Sequence, residues 1–383
     1  MTTIIHFTTV HPRTDVRIRV KEVATLARVW SGNVALYVQD GKGDDTEASD
    51  GVIVHDTGAP ESGRLRRMTR GAFRMYNAVR RARPRIAHFH DPELLPWAML
   101  LQLQGIRVIY DVHEDLPRQL RHKAYLAKPV AHVLGWFAER LERVAARVLT
   151  RLIVVVPAMQ VRFSQDSVIL LANFPSLGEF PKICVSARER VPGRFVYIGG
   201  IVGVRGISEM MEAIELVGDD RARLHLLGAF NDERLEAQMR ARDGWQRVNF
   251  LGWSSRQTVV EELSQASAGL VLLHPTPQYV ISYPIKLFEY MAAGLPVIAS
   301  DFPLWREIVE GAGCGLLVDP QDPQAIAGAM QWVIDNPEEA AAMGRRGRAA
   351  VEDRYNWEAE SEKLLNLYRS LMADILAIDQ TNP

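Results

Sequence analysis

Short apolar runs of four to seven residues return along the whole chain, separated by stretches of helical spacing. In the first half they are Thr3–Thr9, Asn33–Val38, Val52–His55, Ile86–Phe89, Val108–Val112, Leu152–Val156 and Val168–Leu171. The runs are nearly continuous and rich in β-branched residues. That pattern marks strands buried on both faces of a parallel sheet. Between them, apolar residues recur three and four apart, as in the helix that Asp15 can cap and that runs to about Trp30. The alternation restarts with Arg194–Ile198, Arg223–Leu227, Val248–Gly252, Gly269–Leu273, Leu295–Ala299 and Gly315–Val318. The fold class this predicts is α/β, with two Rossmann-like doubly wound domains.

Length agrees, since 383 residues suit two domains. We place them at 1–176 and 194–357. A linker of scattered Pro and Gly lies at 177–193, and a closing amphipathic helix at 358–383. Hydrophobic content of 48% and charged content of 24% are ordinary for a globular chain. A net charge of −1 points to no class of partner. Cys184 and Cys314 are far apart and fit no metal spacing, so they read as free thiols in a reducing compartment. The start MTTIIHFTTVHP reads as a first strand and not as a leader. No uncharged apolar run reaches the roughly 18 residues of a spanning helix. The expected location is cytoplasmic.

Chemistry concentrates in Ser282–Ser300, SYPIKLFEYMAAGLPVIAS. Ser282 is a plausible cap and Pro284 suits a first turn. Leu287 and Met291 share a face, and Gly294 stops the helix before a core strand. Lys286 and Glu289 lie three apart on neighbouring positions. A free helix start with Ile285 and Lys286 in its first turn suits an anion. The carboxylate one turn on can accept two sugar hydroxyls. The plainer reading is a surface helix with an ion pair. Earlier, Gly199–Gly206 (GGIVGVRG) follows a strand and precedes a helix, so its amides can approach phosphate. Arg205 within it offers a permanently charged fork. No G-x-G-x-x-G follows the first strand, which argues against a dehydrogenase.

In the first half, two predicted strands end in histidine beside acids. These are His90-Asp91-Pro92-Glu93 and His113-Glu114-Asp115. The carboxyl ends of strands are where α/β sheets bind ligands. His11, Asp15 and Arg17 follow the first strand. Their alternative roles are helix capping for Asp15 and a surface position for Arg17.

The pattern P-x-K-x-x-E-Y-M-A-A-G-x-P-V-I-A-S from Pro284 closely resembles the donor segment of GT4-type retaining glycosyltransferases of the GT-B fold. HPRTDVRIRVKE, HFHDPELLP and YDVHEDLP resemble motifs of its exopolysaccharide and cell-envelope subgroup. The resemblance covers nearly the whole chain. It implies two domains facing across a cleft and a closing helix that returns to the first. Transfer of a hexose from a UDP- or GDP-sugar to a glycan or lipid-linked acceptor is likewise implied, with retention and with neither cofactor nor metal. Glu289 would hold the ribose, the helix start at Pro284–Leu287 the pyrophosphate, and His113 would serve catalysis beside the donor sugar. Gly199, Gly200, Arg205, Gly206 and Lys286 would complete the donor site. Trp253 would lie near the base, although packing is the commoner role of a single Trp. His11, Asp15, Arg17, His90, Asp91 and Glu93 would be acceptor-side. Two departures stand out. Ile281 replaces the usual second Glu, and Gly200 stands where an Arg is common.

Arg64–Arg85 holds many arginines, no acid, and Phe73, Met75 and Tyr76 among them. It reads as a helix for an anionic membrane surface. Its alternative is a solvated helix with Leu65, Phe73 and Tyr76 in the core. No nucleic-acid module accompanies it, so nucleic acid is not an expected partner. The region Arg118–Arg151, with Tyr125, Trp136 and Phe137, extends that surface or packs. Two further functions stay open: a non-catalytic subunit of the same fold, and a sugar-nucleotide epimerase or phosphorylase.

Overall fold

The structure is a computed structural model that describes residues 3–46, 51–113, 115–121, 127–163, 167–180 and 190–381. The chain divides into two compact units. One is residues 1–173 with 360–383, and the other is 174–359.

The first unit is built on seven parallel strands in the order β3-β2-β1-β4-β5-β6-β7. They are β1 (Ile4–Phe7), β2 (Val34–Val38), β3 (Ile53–Asp56), β4 (Ile86–Phe89), β5 (Arg107–Val112), β6 (Arg151–Val154) and β7 (Val168–Leu170). Ile4, Ile5, Phe7, Ile86, Phe89, Val108 and Ile109 are fully buried, as continuous apolar runs require. Asp15 caps the first helix, with Oδ1 accepting from the Ile18 amide at 2.9 Å. The opening turns, Val16–Val23, are π-helical before α-helix continues through Val29.

The second unit has six parallel strands in the order β10-β9-β8-β11-β12-β13. They are β8 (Arg194–Ile198), β9 (Arg223–Leu227), β10 (Val248–Gly252), β11 (Ala268–Val271), β12 (Val297–Ser300) and β13 (Gly315–Val318). Its core joins Phe195, Leu224, Leu226 and Leu270 to Ile207, Met210, Met211 and Ile214 of the helix Ile207–Leu216. In both sheets the strand order reverses beside the first strand, between β1 and β4 and between β8 and β11. Such a switch point opens a crevice at the carboxyl ends of the strands.

Two local expectations change. Ser282 does not cap its helix: Pro284 holds that position, and Ser282 Oγ donates to the Tyr279 carbonyl. The Ser282 carbonyl accepts from Trp305 Nε1 at 2.8 Å. Among the described residues, the region Arg118–Arg151 contains two helices, Leu116–Arg121 and Lys128–Val148. Of the expected linker, 181–189 lie outside the described residues, as do Cys184, Glu114 and Tyr125. Arg190 is buried and donates to the Ala266 and Gly294 carbonyls. Cys314 is a buried free thiol. The closing helix is Trp357–Thr381, and from Glu360 onward it packs in the first unit.

Candidate active site

In the second unit the loop after β8 meets the helix Ile285–Ala292. Lys286 Nζ lies 3.6 Å from the centre of the Tyr197 ring. It is buried and has no hydrogen-bond partner. Burial and the neighbouring Arg205 push this ammonium well below the ordinary lysine range. Arg205 Nη1 donates to the Gly200 carbonyl at 3.1 Å. A Cβ built on Gly199 would lie 3.5 Å from Lys286 Nζ and 3.8 Å from Arg205 Nη1; one on Gly200 would lie 3.3 Å from the same Nη1. Two basic side chains thus converge on bare glycine backbone, and among the described residues no carboxylate bonds to the lysine. Gly206 lets the next helix start there. Its φ is +74°, and a Cβ would fall 2.2 Å from the Leu272 carbonyl oxygen, so only glycine fits.

Glu289 is one turn further along. Its Oε1 pairs with Arg256 Nη1 at 2.7 Å, and Arg256 Nη2 pairs with Glu179 Oε2 at 2.7 Å. The Arg256 guanidinium also stacks over the Phe180 ring. Arg256 therefore fixes one oxygen of Glu289 and leaves the other for a ligand. Ile285 is exposed. The Leu287 side chain is fully buried, and its amide donates to the Pro284 carbonyl at 3.0 Å. Trp253 corrects the packing expectation: its side chain is 87% exposed at the end of β10.

In the first unit the loops after β1, β4 and β5 form a denser cluster. Asp111, at the end of β5, is fully buried. It takes a two-pronged bond from Arg17, with Nε to Oδ2 and Nη2 to Oδ1 both 2.9 Å. His113 Nε2 lies 2.8 Å from Asp111 Oδ2, and His90 Nδ1 lies 3.3 Å from it. Burial opposes ionisation of Asp111, but Arg17 and His113 outweigh it and hold its carboxyl well below the usual range. Burial lowers His90 to about 4, so its ring is neutral near pH 7.

Around this core, Asp91 accepts from Thr8 Oγ1 at 2.8 Å and from the Thr9 amide at 2.5 Å. Glu93 accepts from Thr9 Oγ1 at 2.9 Å and from Arg67 Nε at 2.8 Å. His11 Nδ1 lies 3.1 Å from Asp15 Oδ2. Burial works against Asp15, yet His11 and the Ile18 amide hold its carboxyl at about 2.

Arg17, Asp91 and His90 are buried and bonded to protein partners. Arg17 is not at the surface, because its fork is used by Asp111. His11, Asp15, Glu93 and His113 keep exposed edges. Sequence reasoning missed Asp111, Glu22, Arg67, Glu179 and Arg256. Asp111 was detectable, because it stands two residues before His113 and so on the same strand face.

The model of Glycosyl transferases group 1 matches residues 187–350, and that of the Glycosyl transferase 4-like domain matches residues 17–168. The chain belongs to the group 1 glycosyltransferases. A GDP-mannose-dependent monoacylated alpha-(1-6)-phosphatidylinositol monomannoside mannosyltransferase of Corynebacterium glutamicum is 30% identical over 177 residues, 44% of this chain and 45% of that one. A phosphatidyl-myo-inositol mannosyltransferase of Mycobacterium leprae is 27% identical over 52% of each chain. The match thus spans about half the length of these curated relatives. Among solved structures, sucrose-phosphate synthase from Thermosynechococcus elongatus superposes with a TM-score of 0.77, at 20% identity, over 97% of this chain and 99% of that one. Anabaena HepE, in complex with UDP-glucose, gives 0.71 at 14% identity, over 96% and 99%. This group 1 glycosyltransferase therefore has the two-domain GT-B fold.

The basic stretch of this glycosyltransferase divides in use. Tyr76, Met75 and Val79 are buried, whereas Leu65 is 75% exposed and Phe73 49%. Arg67 is committed to Glu93. Arg80, Arg81, Arg83 and Arg85 line a cavity with Arg107, which begins β5. That cavity lies at the amino-terminal edge of the sheet, away from the histidine cluster. Among the described residues, no helix is long and apolar enough to cross a membrane.

Proposed function

We propose that this chain moves a hexose from a UDP- or GDP-sugar to a hydroxyl acceptor, with retention of configuration and without a metal ion on the diphosphate. The observation that carries the reading is Lys286, a buried ammonium with no hydrogen-bond partner, beside Arg205 on a glycine backbone. A buried cation without an anion is costly, so the site is preorganised for a ligand that brings negative charge. A diphosphate is such a ligand. Lys286, Arg205 and loop amides between Gly199 and Gly206 would take the charge that develops on the leaving group. The helix starts at Ile207 and Ile285 add the favourable end of their dipoles. The open oxygen of Glu289 would accept from the ribose, and exposed Trp253 would face the base. The nucleotide complex of Anabaena HepE supports a nucleotide-sugar donor.

His113 is the catalytic candidate. Its Nε2 lies 2.8 Å from Asp111 Oδ2 and 3.1 Å from His90 Nδ1, contacts that fix the orientation of the ring. The acceptor we favour is a lipid-linked saccharide of cell-envelope polysaccharide synthesis, consistent with the lipid acceptors named in the two mannosyltransferase relatives. The helix Lys128–Val148 supports it, because Val130, Val133, Leu134 and Phe137 form an exposed apolar stripe beside Arg140.

The deciding experiment is a thermal-shift panel of UDP, GDP, ADP, TDP and their sugar conjugates. A nucleotide at a hundred times its Kd adds roughly 2.7 kcal/mol to stability. We expect one base to shift the wild-type chain, and Glu289→Ala and Arg205→Ala to shift much less at the same concentration. No shift with any nucleotide would replace this reading with the non-catalytic one.

A further inference from the structure

Beneath the His113 cluster lies a second group of polar side chains that the transfer chemistry does not use. Sheet register creates it. His6 of β1 pairs directly with His88 of β4. His90 is two residues beyond His88, so all three rings leave the same face of the sheet. Glu22 of the first helix comes down onto that face. All four side chains are buried. Their donor atoms lie within 4.8 Å of one another. His6 Nδ1 is 3.2 Å from His90 Nε2 and 3.8 Å from Glu22 Oε2, and His88 Nε2 is 4.0 Å from that same oxygen.

Neither carboxylate oxygen of Glu22 has a hydrogen-bond partner, and His88 Nε2 has none. Arg17 Nε is 3.1 Å from Glu22 Oε1, but its N–H is given to Asp111. Four ligand-type atoms therefore face one point, with a hydrogen bond between His6 Nδ1 and His90 Nε2 and none to His88 Nε2 or Glu22. Their other nitrogens are all engaged. His6 Nε2 and His88 Nδ1 meet Tyr368 Oη at 3.0 and 2.8 Å, and His90 Nδ1 faces Asp111 Oδ2 at 3.3 Å. If those three nitrogens carry the protons, Tyr368 and Asp111 accept them. His6 Nδ1, His88 Nε2 and His90 Nε2 are then lone pairs beside the Glu22 carboxylate. In that tautomer lone pairs face each other in a dry interior, which is costly. A cation resolves it.

We propose that His6, Glu22, His88 and His90 form a closed site for a zinc-class divalent ion, with Tyr368 and Asp111 orienting the imidazoles. Three imidazoles and one carboxylate suit that ion, and tetrahedral bonds of about 2.0–2.1 Å put ligand atoms about 3.3 Å apart. The named pairs, at 3.2 to 4.0 Å, need contraction of under 1 Å, and the widest in the set, within 4.8 Å, up to about 1.5 Å. Outer carboxylate and hydroxyl partners on the remaining nitrogens are what histidine ligands require. With every ligand buried, the ion joins β1, β4, the first helix and the closing helix, and sits one residue, His90, from His113. It is separate from the donor diphosphate. Sequence spacing could not show it, since the ligands come from three segments.

The test is metal analysis of the full chain purified without added metal, followed by Co2+ titration of the chelator-treated protein. We expect about one zinc-class ion per chain, and a visible tetrahedral Co2+ spectrum at the same stoichiometry. His88→Ala should lose the ion. Tyr368→Phe, which keeps the ring in place, should stay folded by circular dichroism and bind Zn2+ roughly 10–100-fold more weakly. Two results overturn the proposal. One is a folded chain that holds no metal, binds neither Zn2+ nor Co2+, and melts unchanged with chelator. The other is metal binding that survives both variants unaltered.

Discussion

Arg256 Nη1 sits 2.7 Å from Oε1 of Glu289, so the carboxylate assigned to the ribose is already held by a cation from a different helix. The pair sets the direction of the second oxygen. Glu289→Ala should weaken nucleotide binding by about 1.5–3 kcal/mol, roughly ten- to a hundredfold, the value of hydrogen bonds to a charged group. Arg256→Met should raise the donor KM several-fold with kcat nearly constant, since it disturbs orientation and not the leaving group. Calorimetry with the preferred nucleotide and steady-state kinetics read both. A larger loss in Arg256→Met than in Glu289→Ala would give the arginine a direct ligand role instead.

Lys286 should tie donor affinity to pH. Burial and Arg205 lower its pKa, so the free protein gives up this proton earlier than an ordinary lysine would. A diphosphate prefers the ammonium. Affinity should therefore fall as pH rises through the lowered value, and Lys286→Met should flatten that profile. The transfer rate of Lys286→Met should drop by about 3–4 kcal/mol of transition-state stabilisation.

The same lysine should cost stability. Below the pKa of the unfolded chain, where a free lysine is charged, the fold disfavours the charged form. Lys286→Met should thus melt a few degrees higher than wild type without ligand. A lower melting temperature would show that Lys286 has a partner in the free protein.

Asp111 carries the opposite sign. Its folded pKa is depressed, so its contribution is present above the ordinary aspartate pKa and fades as pH falls through the folded value. Asp111→Asn removes the two-pronged partner of buried Arg17 and leaves Glu22 Oε1, 3.1 Å from Nε, as its nearby carboxylate. Breaking a buried pair costs up to about 3–5 kcal/mol, on the order of 10 °C in Tm. The double variant Arg17→Met with Asp111→Leu should recover much of the loss, because an apolar pair has no charge to desolvate. Calorimetry of the two variants decides it.

Membrane contact is tested by flotation with anionic vesicles. The exposed stripe Val130, Val133, Leu134 and Phe137 lies on a helix that also carries Lys128, Arg140 and Arg143. Wild type should co-float with anionic vesicles and much less with neutral ones, and salt should weaken the contact. Phe137→Asp should reduce flotation while leaving nucleotide shifts intact. Equal flotation of that variant would move the contact to Leu65 and Phe73.

Much of this protein was legible in its amino-acid order. Continuous β-branched runs announce parallel strands, because only strands covered on both faces can be apolar throughout. Gly206, Gly294 and Pro284 mark backbone turns that few other residues could make. Lys286, Glu289 and Arg205 could be proposed as a donor set from a helix and a loop, and the fold brings Lys286 and Arg205 together at Gly199. Tertiary structure decided what those patterns leave out. Arg17 and Asp91 look like site residues in sequence, yet the fold buries them, and a buried charge must spend its bonds on internal partners. Trp253 looks like packing and is left in solvent. Arg256 reaches Glu289 from 33 positions earlier. His6 meets His88 only because β1 and β4 pair in one register. Local spacing encodes local geometry, whereas the partners of a charged side chain depend on which strands the sheet sets side by side.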